Sequence, residues 1–148
     1  MEYRKIALAA DHAGYYIKES IREYLLKEGH KIKDFGCYTD ASIDYPDFAH
    51  PASRSVESGE YELGITVCGS GNGINMVANK YQQIRSALCW NEEISRLARA
   101  HNDANICAIP GRFVNKAEAI LIVKTFLETS FDGGRHKRRI DKIALKRI

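Results

Sequence analysis

The residues best suited to chemistry lie in a glycine-rich loop that begins at Cys68. The loop continues with Gly69, Ser70, Gly71, Asn72 and Gly73. Alternating glycines let backbone N–H groups turn inward around an anion, and a helix that starts after them favours the thiolate, the form in which cysteine acts as a base or nucleophile. A cysteine that ends an apolar strand also fits the role of a small buried packing residue. The loop by itself leaves both interpretations open.

Two classes of protein can be tested against this loop. A cysteine phosphatase needs an arginine in the turn after its nucleophile, and residues 69–75 contain none, so this class is rejected. A dinucleotide-binding fingerprint requires G-x-G-x-x-G, but Ile74 stands where the third glycine belongs. Glu92 lies about twenty residues further on, where such proteins carry their ribose-binding acid. A nucleotide-binding module is therefore weakened as an alternative but not removed.

The other three cysteines, Cys37, Cys89 and Cys107, are not followed by a glycine-rich turn and are predicted to be structural. No two cysteines form a C-x-x-C pair. This spacing argues against a zinc ribbon and against a thioredoxin-type redox site.

Two polar clusters could move protons. Asp11 and His12 follow the first predicted strand directly, and His101, Asn102 and Asp103 lie at the end of a predicted helix. Histidine titrates near neutral pH and therefore suits acid–base work. Each cluster also has a purely structural interpretation, in which Asp11 caps the next helix and His101 complements a helix dipole. Taken singly, both clusters favour the structural interpretation.

Arginines in the last third of the chain could bind a phosphate. Arg112 follows the fifth predicted strand, and Arg135, Arg138 and Arg139 follow a pair of glycines. Arg135 and Arg139 are four residues apart and share one helical face, which permits a joint grip on one anion. The basic excess after residue 131 would equally suit nucleic acid or an anionic membrane. Charge alone does not choose among these partners.

Short apolar stretches that alternate with segments of helical period would position these motifs. Strands are predicted at residues 5–10, 31–35, 63–68, 85–89 and 105–109, and helices at 15–27, 46–58, 72–80, 92–101, 115–129 and from about 135 onward. In the helix at 115–129, the predicted core-facing residues are Ala117, Ile120, Leu121 and Phe126. The alternation predicts a three-layer α/β/α fold, doubly wound and Rossmann-like, with a five-stranded parallel sheet. Ligands of such folds bind beyond the carboxyl ends of the strands.

Length and composition predict one folded domain over residues 1–148. Apolar residues make up 45% of the chain and charged residues 28%, which is typical of globular rather than disordered proteins. The apolar stretch near the N-terminus reaches Asp11 within a few residues, so it resembles neither a secretion signal nor a membrane span. We therefore expect a cytoplasmic protein without a membrane partner, whose cysteines remain free thiols.

A set of short motifs, taken in order, resembles the type B ribose 5-phosphate isomerase family. The motifs are DHAG, DYPDFA, CGSGNG, the pair Asn79 and Lys80, HNDANI, the pair Gly111 and Arg112, and GGRHKRRI, and they span nearly the whole chain. The resemblance implies an aldose–ketose isomerase that interconverts ribose 5-phosphate and ribulose 5-phosphate through an enediolate, in the non-oxidative pentose phosphate pathway, without metal or cofactor. Relatives that act on allose 6-phosphate or galactose 6-phosphate make a six-carbon substrate the main alternative.

The resemblance also assigns roles to the candidate residues. Cys68 would move the proton between C1 and C2, and His101 would help to open the furanose ring, with Asp11 nearby. The remaining assignments are Gly69, Ser70, Gly71, Asn72 and Gly73 for the enediolate oxygens, His12, Tyr45 and Asn102 for the sugar, and Arg112, Arg135 and Arg139 for the phosphate. One branch of the family uses a glutamate at the position of Ile74 as its base, and isoleucine cannot accept a proton.

Members of this family form homodimers, or dimers of dimers, whose active sites are built from both subunits. The resemblance therefore implies that His101, Asn102 and some of the arginines reach Cys68 of a partner chain, and that the C-terminal helix packs on that partner. Because it assigns Arg135 and Arg139 to a sugar phosphate, the resemblance also argues against a nucleic-acid partner.

Overall fold

A five-stranded parallel sheet forms the centre of the computed structural model, which describes residues 2–146. The strands are β1 Lys5–Ala10, β2 Lys31–Asp34, β3 Leu63–Cys68, β4 Ser86–Leu88 and β5 Ile106–Pro110. They lie in the order β2-β1-β3-β5-β4, and every neighbouring pair is parallel. The predicted five-stranded parallel sheet is therefore confirmed. The extension of one domain over residues 1–148 stays a prediction, since Met1, Arg147 and Ile148 lie outside the described residues.

Helices cover both faces of the sheet. They are α1 Tyr15–Lys27, α2 Tyr45–Glu57, α3 Asn72–Ala78, α4 Glu92–Asn102, α5 Lys116–Glu128 and α6 Arg135–Ile140, with a short 3-10 helix at His12–Gly14. The helices α1, α4 and α5 share one core cluster with the sheet, whereas α2 and α3 pack on the opposite side. This arrangement confirms the predicted three layers. The 3-10 helix was not predicted, and the basic helix ends at Ile140 rather than continuing.

The central strands form because their sequences are apolar without interruption. Every residue of β3 and β5 is buried, as are all residues of β1 except Lys5. Strands buried on both faces need such continuous apolar runs, since helices cover each side. The outer strands β2 and β4 are only partly buried. The apolar runs at β1, β3 and β5 therefore place these strands at the centre of the molecule.

The predicted core face of α5 is wrong at Ala117 and Leu121, and Ile120 is only partly buried. Leu121 is 43% exposed, and Ala117 is exposed as well. The buried residues are Ala119, Ile122, Val123, Phe126 and Leu127, of which only Phe126 was expected. Both sets recur at helical spacing, because α5 is apolar around most of its circumference. Packing against α1 and α4 selects the second set.

A fully buried lysine ties α1 to the strand beside it. The side chain of Lys18 has no exposed surface, and its Nζ lies 2.5 Å from Oδ2 of Asp34 and 3.0 Å from Oε1 of Glu19. The other oxygen of Asp34 accepts a hydrogen bond from the Gly36 amide at 2.9 Å. The Gly36 carbonyl then accepts the Ala10 amide at 2.7 Å. This chain of contacts holds the segment after β2 against the end of β1, next to the candidate site.

No helix within residues 2–146 is long and apolar enough to cross a membrane.

Candidate active site

A cleft opens at the carboxyl ends of β1 and β3. These two strands are neighbours, and the chain reverses its direction of winding between them, because β2 lies beyond β1 on one side and β5 beyond β3 on the other. The cleft has a volume of about 460 Å³ and is lined by Asp11, His12, Ala13, Tyr45, Cys68, Gly69, Ser70, Gly73, Arg112 and Phe113. Ligands of open α/β sheets bind at such switch points. The structure therefore has a cleft at the place where the sequence predicted a ligand site, beyond the carboxyl ends of the strands.

Cys68 forms part of the floor of this cleft. It is the last residue of β3, lies opposite Pro110 of β5, and its carbonyl accepts the Gly111 amide at 2.8 Å. Its side chain is only 4% exposed and packs with Ala49, Ile74 and Ala108. The packing interpretation of this cysteine is therefore confirmed, whereas its role as a base stays a prediction that its position in the cleft lining permits. Ile74 is fully buried in the same cluster.

The structural cysteines differ from Cys68 in their surroundings. Cys37 and Cys107 do not line the cleft, and burial raises the pKa of each thiol above its ordinary value. For Cys107 a hydrogen bond with Cys89 raises the pKa further. A raised pKa keeps a thiol protonated and inert. This agrees with the interpretation that Cys37 and Cys107 have no role in proton transfer.

The glycine-rich loop turns sharply at Gly71. This residue has φ +75, and a Cβ there would lie 2.5 Å from Cδ1 of Leu88, so only glycine fits without strain. The Asn72 amide donates to Oγ of Ser70 at 3.2 Å. Gly69, Ser70 and Gly73 line the cleft, whereas the predicted substrate-binding residues Gly71, which is buried, and Asn72, which is exposed, are outside its lining. The backbone of Gly69, Ser70 and Gly73 can therefore contact a ligand, whereas the Asn72 amide is already hydrogen-bonded within the turn.

Tyr45 reaches over the loop from the first turn of α2. A Cβ at Gly73 would lie 2.5 Å from Cζ and 2.8 Å from the hydroxyl oxygen of Tyr45. The tyrosine ring thus rests directly on this glycine. Because the ring is 37% exposed, one side remains open to a ligand in the cleft.

Asp11 and His12 line the cleft at the end of β1. Oδ1 of Asp11 accepts the Gly14 amide at 3.0 Å, which is the capping role that the sequence allowed. Within residues 2–146 its second carboxylate oxygen accepts no hydrogen bond. Nδ1 of His12 accepts the Ile43 amide at 3.2 Å, so in the neutral ring the proton sits on Nε2. His12 can therefore donate a hydrogen bond into the cleft.

Arg112 closes the cleft from the side of β5. Its amide donates to the Gly69 carbonyl at 3.0 Å, and its Nη1 lies 3.1 Å from where a Cβ of Gly69 would stand. The guanidinium therefore lies along the glycine-rich loop and can meet an anion held there. Phe113 beside it is 75% exposed at the rim. Sequence reasoning missed Phe113 and Ala13, and the only available signal was that each adjoins a predicted site residue.

Four predicted site residues do not meet Cys68 within one chain. They are His101, Asn102, Arg135 and Arg139. His101 stacks on His136 of α6, with ring centroids 4.2 Å apart, and Asn102 lines a separate cleft beside Arg85. Burial and the nearby His101 lower the pKa of His136. Arg135 and Arg139 are exposed on α6, outside the lining of the Cys68 cleft. That these four residues complete a partner's site stays a prediction.

Comparison with known proteins places the chain in a family. A family model described as ribose/galactose isomerase matches residues 6–143. The probable ribose-5-phosphate isomerase B of Mycoplasma genitalium is 44% identical over 140 residues, which cover 93% of this chain and 92% of that protein. The ribose-5-phosphate isomerase B of Escherichia coli is 36% identical over 95% of this chain and 94% of its own length.

Solved structures agree with the sequence comparison. A ribose 5-phosphate isomerase from Thermotoga maritima superposes with a TM-score of 0.94 at 48% identity, covering 97% of this chain and 99% of that one. The Mycoplasma genitalium enzyme, solved with bound ribulose 5-phosphate, gives a TM-score of 0.90 at 43% identity over 94% of this chain and 93% of its own. Sequence and fold agree over nearly the whole length, and the chain belongs to the ribose/galactose isomerase family, together with its type B ribose-5-phosphate isomerase relatives.

Proposed function

We propose that this protein is an aldose–ketose isomerase that interconverts D-ribose 5-phosphate and D-ribulose 5-phosphate. The observation that carries the proposal is the cleft itself, where the Cys68 thiol lies between a carboxylate and imidazole on one wall and a guanidinium on the other. A thiol, a carboxylate and an imidazole can exchange protons, and a guanidinium suits a phosphate. The relative that is 43% identical was solved with ribulose 5-phosphate bound.

The proton transfer follows from these groups. The Cys68 thiolate removes the proton from C2 of the open-chain aldose, and the electron pair shifts to make an enediolate across C1 and C2. The same thiol returns the proton to C1, while a proton moves from the C2 hydroxyl to the oxygen on C1. Backbone N–H groups of Gly69 and Ser70 stabilise the negative oxygens as they develop. No electrons leave the sugar, so neither an oxidant nor a reductant is required.

Substrate binding divides between the two walls. Nε2–H of His12 and the hydroxyl of Tyr45 donate to sugar oxygens, and Arg112 binds the phosphate. Arg135 and Arg139 of a partner chain complete the phosphate site in this proposal, and His101 of that partner is the acid that opens the ring. A homodimer with shared sites accounts for the positions of these residues on α4 and α6, where Arg135 and Arg139 are exposed and His101 is partly exposed.

The family resemblance supports a cytoplasmic setting, in the non-oxidative pentose phosphate pathway. The partner of the protein is then a small sugar phosphate, with no nucleic acid and no membrane involved.

The proposal is tested by assaying purified protein with ribose 5-phosphate after exhaustive chelation. We expect turnover without added metal. If no ribulose 5-phosphate forms, or if turnover requires a metal ion, the proposed function is wrong. Calorimetry with adenine nucleotides is the companion measurement, because nucleotide binding without isomerase activity would favour the nucleotide-binding alternative.

The second candidate function is the same chemistry on a six-carbon sugar phosphate, which the family description ribose/galactose isomerase favours. Comparison of kcat/KM for ribose 5-phosphate, allose 6-phosphate and galactose 6-phosphate separates the two candidates. We expect the highest value for ribose 5-phosphate.

A further inference from the structure

Three side chains that commonly ligate metals meet where α6 lies against α4. His101, Asp132 and His136 each offer one ligand atom, and these atoms all lie within 4.8 Å of one another. The two imidazole rings are nearly parallel, with an angle of 12° between their planes. In the part of the chain that the structure describes, no other group of three His, Cys, Asp or Glu side chains is as close.

Backbone hydrogen bonds hold this cluster in place. The Asp132 amide donates to the carbonyl of Ala100, the neighbour of His101, at 2.9 Å. The His136 amide donates to the carbonyl of Gly133 at 3.1 Å, and Gly133 has φ +69, which turns the chain back toward α4. The meeting of the three side chains therefore depends on the fold and not on long flexible side chains.

The carboxylate of Asp132 is free to bind a cation. Among residues 2–146 it makes no ion pair. Glu93 holds Nη2 and Nε of the nearby Arg96 at 2.7 and 3.1 Å, and this contact is the main cause of the raised pKa of the Arg96 guanidinium, to which Asp132 adds a smaller part. A ligand that enters the cluster thus meets an uncommitted carboxylate beside two imidazoles.

We propose that His101, Asp132 and His136 form a Zn²⁺ site. Zinc bound there inhibits the enzyme because it coordinates the imidazole nitrogen of His101. Two imidazole nitrogens and one carboxylate oxygen are a frequent zinc ligand set, with water in the fourth position. Zinc bonds of about 2.0–2.1 Å place the ligand atoms roughly 3.4 Å apart, so the side chains must close by about 1 Å and the rings must tilt out of their stack. Asp132 is exposed and both histidines are partly exposed, which leaves them this freedom.

The imidazole ligands, and not the surrounding charge, determine which divalent metal suits the cluster. Burial and the nearby His101 are the main causes of the lowered pKa of His136, Arg135 and Arg139 lower it further, and these two guanidinium groups also repel a cation. Mg²⁺ and Ca²⁺ prefer oxygen ligands and are disfavoured here, whereas Zn²⁺ gains from its bonds to imidazole nitrogen. The cysteines, which would otherwise compete for zinc, are at most 4% exposed.

The inhibitory part of this inference rests on the proposed function, because it needs His101 as the acid of ring opening. An imidazole whose nitrogen is bound to zinc cannot carry a proton on that nitrogen. Zinc would therefore lower turnover without unfolding the protein, and removal of the metal would restore it.

The binding part is tested by calorimetric titration of the chelator-treated full-length protein with Zn²⁺, in a buffer that does not bind metal. We expect one zinc per chain and no heat of binding with Mg²⁺. Asp132→Asn and His136→Gln should each weaken zinc binding at least about tenfold, because even groups that only orient a metal ligand are worth about 10- to 100-fold in affinity. Asp141→Asn, which changes an exposed carboxylate at the C-terminal end of α6, should bind as wild type. Cys68→Ala should also bind as wild type, because no thiol is involved.

The result that overturns the site is wild-type protein that binds no zinc, or an Asp132→Asn variant that binds it as tightly as wild type. The activity assay is read separately. Wild-type turnover should fall as zinc is added and return with chelator, whereas Asp132→Asn should keep its turnover at the same zinc concentration. If zinc binds at the site and turnover does not change, the inhibitory part is wrong. If the metal-free enzyme does not turn over ribose 5-phosphate, the proposed isomerase function is wrong. The calorimetric titration would still show whether zinc binds at His101, Asp132 and His136.

Discussion

At the scale of single residues, the site depends on glycines that let larger side chains approach. Tyr45 can rest on the glycine-rich loop only because Gly73 has no Cβ. Arg112 lies along Gly69 for the same reason. These close approaches bring the Tyr45 hydroxyl and the Arg112 guanidinium to the glycine-rich loop, in the same cleft that Cys68 lines.

The contact between Gly73 and Tyr45 gives a specific prediction. Gly73→Ala forces the Tyr45 ring to move, since the new Cβ would lie 2.5 Å from Cζ. Overpacking of this kind costs about 1–3 kcal/mol, so we expect kcat/KM for ribose 5-phosphate to fall by about tenfold or more. In a Tyr45→Ala background the same change should have little further effect. Steady-state kinetics on the four proteins of this double-mutant cycle measures the coupling, and additive effects would show that the ring contact is not the cause.

At the scale of elements, the helices and strands are held in register by buried polar contacts as well as by the apolar core. His30 connects α1 to β2 and is only 4% exposed. Its Nδ1 accepts the Arg4 amide at 3.1 Å, and burial lowers the pKa of its imidazole. The neutral ring therefore fits the fold, and the protonated ring does not.

This histidine makes stability depend on pH. Because the pKa of His30 is lower in the folded chain than in the unfolded chain, its contribution is fully present above about pH 6.5 and is lost as the pH falls toward the folded pKa. The slope for one proton is at most about 1.4 kcal/mol per pH unit. His30→Asn keeps an acceptor near the Arg4 amide and does not titrate. Urea unfolding at pH 7.5 and 5.5 should show a larger loss for wild type than for His30→Asn, and equal losses would contradict this explanation.

The elements of this fold were largely predictable, because β1, β3 and β5 are continuous apolar runs and helical segments separate them. The bounds of β1, β3 and α1 were predicted to the residue. The core face of α5 was not, because two apolar stripes compete and only tertiary packing selects between them. The cleft could be located from the positions of Asp11, Tyr45 and Cys68 at element ends. The contact of Phe113 with the cleft was not predicted, since its position next to Arg112 is the only signal in its local sequence.

At the scale of the whole molecule, the candidate residues separate into two groups. Cys68 and Arg112 border one cleft, whereas His101 and the arginines of α6 lie together at a different surface. A homodimer in which each surface faces the other chain's cleft would give two complete sites. The sequence motifs are compatible with this assembly, but no local pattern in one chain specifies how two copies meet.

Complementation between inactive variants tests the shared site. Cys68→Ala and His101→Ala should each be nearly inactive as homodimers. In a mixed dimer, one site combines both substitutions and the other has neither. Random mixing should therefore restore about one quarter of wild-type specific activity, since half of the dimers are mixed and each has one intact site. Mixing under conditions that exchange subunits, with mass spectrometry to count mixed dimers, decides the question. No recovery despite abundant mixed dimers would place Cys68 and His101 of one chain in the same site.

The role of Cys68 as the proton carrier is tested most directly by the turnover of Cys68→Ala with ribose 5-phosphate, measured beside its calorimetric binding of the same sugar. We predict that kcat falls by about 10²- to 10⁴-fold, the usual contribution of a general base, while the sugar phosphate still binds. Cys107→Ala, which truncates a buried cysteine away from the cleft, should keep the wild-type kcat. A Cys68→Ala variant that turns over ribose 5-phosphate at nearly the wild-type rate would show that another group carries the proton.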